Sequence, residues 1–381
     1  MNGLSFSDAS DIRLGSSTIT ALYYGSTLIW PSGTNWANEY LQVEALEPLT
    51  LTTNMPATKT ANDILDVQYS TDTTTWNNWN ENVSLSMQTG DIVYFKGSYI
   101  LQTYKSSYDD NKFGLATTVY YVNSIPQFKD YKVQGNVMSL IYGDNFIGKT
   151  SLYGYDHCFN SLFGDGGIRD ASNVKLPATT LADYCYALMF SSSSITAAPE
   201  LPATTLAVGC YNQMFYFCNG LLTAPSILPA TTLANYCYFS MFNYCNNLES
   251  APQLPATTLA NYCYMCMFAN CYNLESAPQL PATTLTTDCY NGMFANCYNL
   301  ESAPQLPATT LTTRCYYVMF GGCTSLNYIE CLATDISATD CTAGWLGGVN
   351  ASGTFVKDAN MNNWTTGDDG IPSGWTVQNA S

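Results

Sequence analysis

Residues Leu254–Gln279 read LPATTLANYCYMCMFANCYNLESAPQ, and Leu280–Gln305 repeat those 26 residues with five changes. The hexapeptide LPATTL begins at Leu176, Leu201, Leu228, Leu254, Leu280 and Leu306, at spacings of 25, 27, 26, 26 and 26 residues. A period of this length marks stacked units, none able to bury its apolar face alone. Counted from the leading leucine, apolar residues fall at positions 1, 6, 10, 14, 15, 18, 21 and 24. The steps of four from position 6 to position 18 predict a short helix or helical turn. Prolines at positions 2 and 25 confine any strand to about four residues around Leu274–Ala277. The expected coil is therefore a short strand, a proline-bounded turn through LPATT and a helical return.

The pattern LPxTxL…CYxxMFxxCxxLxxAP resembles the BspA-like leucine-rich repeats of bacterial surface proteins, of the kind found in Bacteroides-infecting (crAss-like) phage tail and receptor-binding proteins. The flanking segments IRLGSSTITALYYGSTLIWP, GNVMSLIYGDNF and WLGGVNASGTF…GIPSGWTV are similar to pieces that bracket such repeats in that setting. The resemblance implies an α/β leucine-rich-repeat solenoid with a C-terminal cap, preceded by a mainly β N-terminal half made of a small β module and a β-sandwich. It also implies a binding or adhesion protein, and it carries no catalytic residues.

The expected division is an N-terminal β attachment module at 1–35 and an immunoglobulin-like sandwich at 36–148. About seven repeats follow at 149–330, with a cap at 331–381. In the first part, IRLG, ITALYYG and TLIW read as strands, with Gly15 and Gly25 at turns. In the second, ILDVQYS, VSLSM, DIVYFKGSYI, TTVYYV and YKVQGNVMSLIY alternate in strand fashion. Trp76 and Trp79 lie in the polar run TDTTTWNNWNEN and suit packing better than carbohydrate stacking.

Only 11% of the 381 residues are charged, against roughly 25% in ordinary domains. The balance is acidic, 12 Lys and Arg against 29 Asp and Glu, which disfavours nucleic acid and anionic membranes. His157 is the one histidine, so a catalytic or two-histidine metal site would have to include it. Neither a catalytic centre, a metal nor a cofactor is expected. The start MNGLSFSDASDIRLGSS lacks the basic and apolar regions of a secretory signal, and no segment approaches about 18 consecutive apolar residues. No membrane insertion is expected.

Gly143–Thr150 fits the phosphate-loop pattern GxxxxGK[ST], but Asp144 would face the phosphates and SLYGYDHC is a poor helix start. The junction into the first coil is the preferred reading. Of the 15 cysteines, seven occupy position 10 and five position 18, which suits small stacked apolar residues kept as thiols. Glu249, Glu275 and Glu301 share position 22 and should form a solvated acidic column. The Asn82, Asn350 and Asn363 glycosylation patterns carry little weight in a bacterial or phage setting.

The two most similar units differ at Ala260–Tyr262 against Thr286–Asp288, and at Met265–Cys266 against Asn291–Gly292. Changing residues mark the candidate partner surface: Asn212, Gln213, Asn235, Tyr236, Phe239, Asn261, Tyr262, Met265, Asp288, Asn291 and Tyr317. Tyrosines constant at position 11, including Tyr186, Tyr238 and Tyr264, read as structural. Tyr, Asn and Thr suit glycans through ring stacking and amide hydrogen bonds.

The expected function is a non-enzymatic phage virion protein of the tail, assembled in the host cytoplasm. Its N-terminal module would dock on tail or baseplate proteins, and its repeats would bind a host surface glycan or outer-membrane protein. Homo-oligomers are compatible with this. The alternatives are a structural tail or decoration component and a cellular Bacteroidales adhesin.

Overall fold

Alternating apolar residues build the N-terminal sheets, and the repeat then builds a different kind of layer. A computed structural model describes residues 38–53, 65–79, 83–99, 129–164 and 167–380, together with several short strands outside those ranges. Its first strands are β1 (Ile12–Leu14), β2 (Ser17–Ile19), β3 (Leu22–Tyr24) and β4 (Thr27–Trp30), paired as β1–β2 and β3–β4. The segment ITALYYG, expected as one strand, is thus divided between β2 and β3.

Then come β5 (Leu41–Ala45), β6 (Leu49–Thr53), β7 (Leu65–Ser70), β8 (Asn77–Asn78), β9 (Leu85–Met87) and β10 (Ile92–Tyr99). They are followed by β11 (Leu115–Thr117), β12 (Val119–Val122), β13 (Ile125–Phe128), β14 (Tyr131–Asn136) and β15 (Ile168–Lys175). One sheet has the order β15-β14-β5-β10-β7-β8, a second has β11-β6-β9, and β12 pairs with β13. Leu41, Val43, Val67, Val93, Phe95 and Val133 are buried, and Trp79 meets Phe95 edge-on at 5.4 Å.

The stretch YKVQGNVMSLIY does not remain a strand. At Gly135 (φ +88) a Cβ would run into the Tyr40 carbonyl, so only glycine fits this crossing. At Asn136 the side-chain oxygen accepts the Met138 N–H at 3.0 Å, and the chain turns into α1 (Ser139–Tyr142) and a 3-10 turn at Gly143–Asn145. The helix precedes the phosphate-loop pattern instead of following it. Asp144 is engaged by Lys96 Nζ and by the Tyr40 hydroxyl, each at 2.8 Å.

The expected α/β leucine-rich-repeat solenoid is not what the chain builds, and the terms leucine-rich repeat, BspA-like and solenoid go with it. The architecture is one of mixed β-sheets. Among the described residues the α-helical structure is confined to Ser139–Tyr142, ahead of the repeats. Residues 176–327 contain no helix and no strand beyond isolated bridges such as Ser250↔Ser276 and Thr232↔Thr258.

The reason lies in the backbone. Positions 9, 13 and 17 are left-handed in coil after coil: Tyr184, Leu188 and Ser192 (φ 51, 55 and 59), then Tyr236, Ser240 and Tyr244 (φ 57, 49 and 62). A left-handed residue at every fourth position breaks the i→i−4 ladder of an α-helix. Donors alternate instead. Tyr184, Tyr186, Leu188 and Phe190 give their N–H groups to carbonyls of the next coil, and Cys185, Ala187 and Met189 give theirs three residues back. The apolar step of four is the period of these turns.

Left-handed residues cost roughly 1–2 kcal/mol each unless they are glycine or asparagine. The coil Leu254–Gln279, for example, buries Leu254, Leu259, Tyr264, Met267, Phe268 and Leu274, about 1.5–3 kcal/mol apiece. Burial outweighs the backbone cost. Two aromatic columns run through the core. Tyr186, Tyr211, Tyr238, Tyr264, Tyr290 and Tyr316 stack at position 11, and Phe163, Phe190, Phe215, Phe242, Phe268, Phe294 and Phe320 stack at position 15.

The chain ends in a parallel sheet of β16 (Tyr328–Cys331), β17 (Thr354–Lys357) and β18 (Thr376–Asn379). Trp345 stacks between Tyr316 and Trp364 and donates its indole N–H to the Gly370 carbonyl at 2.9 Å.

Candidate binding faces

The left-handed positions decide what the stack presents. Residues at positions 10, 11, 14 and 15 turn inward, while those at 9, 13 and 17 mostly retain exposure. Surface columns therefore run along the stack, one residue per coil.

On the first face, position 9 supplies His157, Tyr184, Gly209, Tyr236, Tyr262, Asp288 and Arg314. His157 and Tyr184 stack at 5.0 Å, and Tyr236 and Tyr262 at 4.6 Å with planes 2° apart. Partial burial and the neighbouring Tyr262 hydroxyl push the Tyr236 phenol above its usual range. Asn261 donates its backbone N–H to the Asn235 side-chain oxygen at 3.2 Å, which orders the adjoining amides.

The predicted surface residues divide accordingly. Asn235 and Asn261 are exposed, while Gln213, Tyr236, Phe239, Tyr262, Met265 and Tyr317 are half-buried. Asn212, Asp288 and Asn291 are buried. The structure brings Tyr236, Tyr262 and Phe239 together, with Phe239 edge-on to Tyr236 at 6.0 Å. A second group forms where Asn291 donates to Asp288, and Asp288 pairs with Arg314 at 3.3 Å. The Arg314 guanidinium in turn lies 4.6 Å above the Tyr317 ring. Asp288 and Asn291 are thus taken up by contacts within the chain.

Stacking along the axis also alters how rings can be used. Tyr236 and Tyr262 each cover one face of the other and offer outward their edges, hydroxyls and neighbouring amides. No further ring fits within the 4.6 Å gap between them, so that gap is closed and the rim carries the polar groups.

A second face, at positions 16 to 20, is absent from the sequence-based residue set. Phe217 and Tyr244 stack at 4.3 Å, with Tyr216 edge-on to Phe217 at 4.6 Å. Asn243, Asn270 and Asn296 form an amide ladder with bonds of 3.0 and 2.9 Å. Tyr272 and Tyr298 stack at 4.8 Å beside it. The signal was present in the repeat: position 17 reads Ser, Phe, Tyr, Asn, Asn, Gly along successive units.

The thiols are buried free cysteines apart from Cys266, which is half-buried. Burial pushes those of Cys210 and Cys263 up to about 12. Among the described residues no cluster of three or more His, Cys, Asp or Glu could hold a metal ion. No helix there is long and apolar enough to cross a membrane.

No family model matches the chain, and no curated protein matches it. A crystal structure of a leucine-rich repeat protein from Bacteroides ovatus aligns over 74% of this chain and 90% of its own, at 13% identity and a TM-score of 0.23. A likeness that distant carries no argument. The resemblance to BspA-like leucine-rich repeats is accordingly withdrawn: the coils lack its helix and strand. The terms bacteriophage, virion and tail protein have no support from either source.

Proposed function

We propose that the protein is a non-enzymatic binding module whose stacked coils hold a polysaccharide at the first face. The observation that carries this is the Tyr236–Tyr262 pair, two half-buried rings with neighbouring hydroxyls flanked by the exposed amides of Asn235 and Asn261. Hydroxyl and carboxamide groups in fixed register match the donors and acceptors of a sugar chain. The cross-coil backbone bonds keep that register without ligand, which limits the ordering cost of binding. The stretch between Lys175 and Arg314 holds six acids and no cation, so an uncharged polymer fits better than an anionic one.

Affinity electrophoresis of the full chain through gels containing neutral polysaccharides tests this reading. Retardation lost in Tyr236→Ser/Tyr262→Ser is the expected result. Equal retardation of the double variant and the parent would sink it.

A second reading, a structural component packing on further protein, is favoured by β18. All four of its residues are exposed, and its outer edge has no strand partner among the described residues. Light scattering across a concentration series, with and without Val377→Pro, tests this second reading.

A further inference from the structure

Two asparagine–glycine pairs lie among the described residues, Asn219–Gly220 and Asn291–Gly292, and the stack treats them in opposite ways. An asparagine followed by glycine can react with its own backbone. The glycine nitrogen attacks the asparagine side-chain carbonyl, since no Cβ blocks the approach. The reaction needs a side chain able to swing and a glycine N–H that is not held as a donor.

Asn291 meets neither condition. It is buried, its amide donates to the Asp288 carboxylate, and Gly292 donates its N–H to the Tyr317 carbonyl at 2.8 Å. Asn219 meets both. It is exposed, and its side chain makes no hydrogen bond among the described residues. Asn219 donates its backbone N–H to the Phe217 carbonyl at 2.9 Å, and Leu221 donates to the Cys218 carbonyl at 3.0 Å. The Gly220 N–H between them has no acceptor among the described residues. In later coils the same position does bond, with Asn273 and Asn299 donating to the carbonyls of Asn246 and Tyr272.

We propose that Asn219–Gly220 is a self-modification site, at which the folded chain converts asparagine to aspartate and isoaspartate without an enzyme. The Gly220 nitrogen gives up its proton and bonds to the Asn219 side-chain carbonyl carbon. The bond from that carbon to Nδ2 breaks, and ammonia leaves with the proton. Water then opens the cyclic imide, its hydroxyl staying on the attacked carbon and its proton returning to the ring nitrogen. Opening at the side-chain carbonyl gives aspartate. Opening at the main-chain carbonyl leaves the chain running through the side chain as isoaspartate. Either product sets a carboxylate on the turn that carries Phe217, and no Lys or Arg lies between Lys175 and Arg314 to pair with it. The second face thereby turns anionic as the protein ages.

Native chain and chain unfolded in guanidinium chloride are incubated side by side at pH 8, and their digests are mapped by mass spectrometry. Each converted peptide gains the mass difference between a hydroxyl and an amino group, and isoelectric focusing shows the matching acidic form. In the native sample Asn219 should convert and Asn291 should not, whereas in the unfolded sample both should. A methyl added at Gly220 would lie 3.5 Å from the Ser194 and Ile195 carbonyls, an ordinary contact, so Gly220→Ala screens the nitrogen and keeps the stack. That variant should melt with the parent and lose the native conversion. The proposal is overturned if native Asn219 stays unmodified while unfolded Asn219 converts, if native Asn291 keeps pace with Asn219, or if Gly220→Ala converts as the parent does.

Discussion

The Tyr184 ring lies across the α-carbon of Gly209, its counterpart one coil further on, so closely that a Cβ there would overlap three ring carbons. Gly209 is also left-handed, at φ 57. Gly209→Ala should therefore displace the ring and strain the backbone together, costing about 1–2 kcal/mol. Chemical denaturation gives the number, and Tyr184→Ala should recover the steric part in a double-mutant cycle.

Val318 is the reverse case. It is β-branched at φ 50, and its counterparts in the adjacent coils are Gly292 and Gly344. Val318→Asn should raise stability by about 1 kcal/mol, read from the denaturation midpoint.

The two core columns should respond with opposite signs. The Tyr238 hydroxyl is buried without a protein partner, so Tyr238→Phe should be neutral or stabilising by about 1 kcal/mol. Phe242→Ala, in the neighbouring column, opens a cavity between Phe215 and Phe268 and should cost about 3–5 kcal/mol.

Thiol reactivity should report the same burial. Native protein treated with iodoacetamide at pH 8 should label Cys266 first, with the other 14 of its 15 cysteines following only on unfolding. Fast native labelling at position 10 or 18 would contradict the stacked core.

His157 gives the fold a pH dependence. Burial lowers its pKa below the usual 6.5, partly offset by Asp156 and Asp183. A base with a lowered folded pKa is more readily protonated when unfolded, so this contribution is present above pH 6.5 and is lost as pH falls through the lowered value. His157→Phe keeps a ring on Tyr184 and should flatten the stability profile between pH 7 and 5.

The repeat length, the inward positions and the cysteine columns were legible in the sequence because each depends on burial, which composition records directly. The helix was not there, and the spacing contained a warning. Four residues on an α-helix turn about 400°, so strict steps of four drift by about 40° each and leave the apolar face within three steps. A second sign was the gathering of Gly209, Gly292, Gly322, Asn270, Asn296 and Asp288 at positions 9, 13 and 17, where positive φ is easiest. The first face was found through its variable residues. The second was missed because its ladders depend on which residue the next coil sets beside each ring and amide, as with Phe217 on Tyr244 and Asn270 on Asn243.

The alternating donors also fix where the chain can change length. The distance from each leading leucine to position 18 is identical in the first two units, Leu176 to Ser193 and Leu201 to Cys218, although those units differ in total length. The 25-, 27- and 26-residue spacings arise wholly after that point, from Ser193 to Leu201, Cys218 to Leu228 and Cys245 to Leu254. One residue inserted before position 18 would reverse the parity of every later donor, so that groups aimed at the next coil would aim back into their own. The turns behave as a phase-locked register, and insertion and deletion are free to act only in the slack segment that follows it.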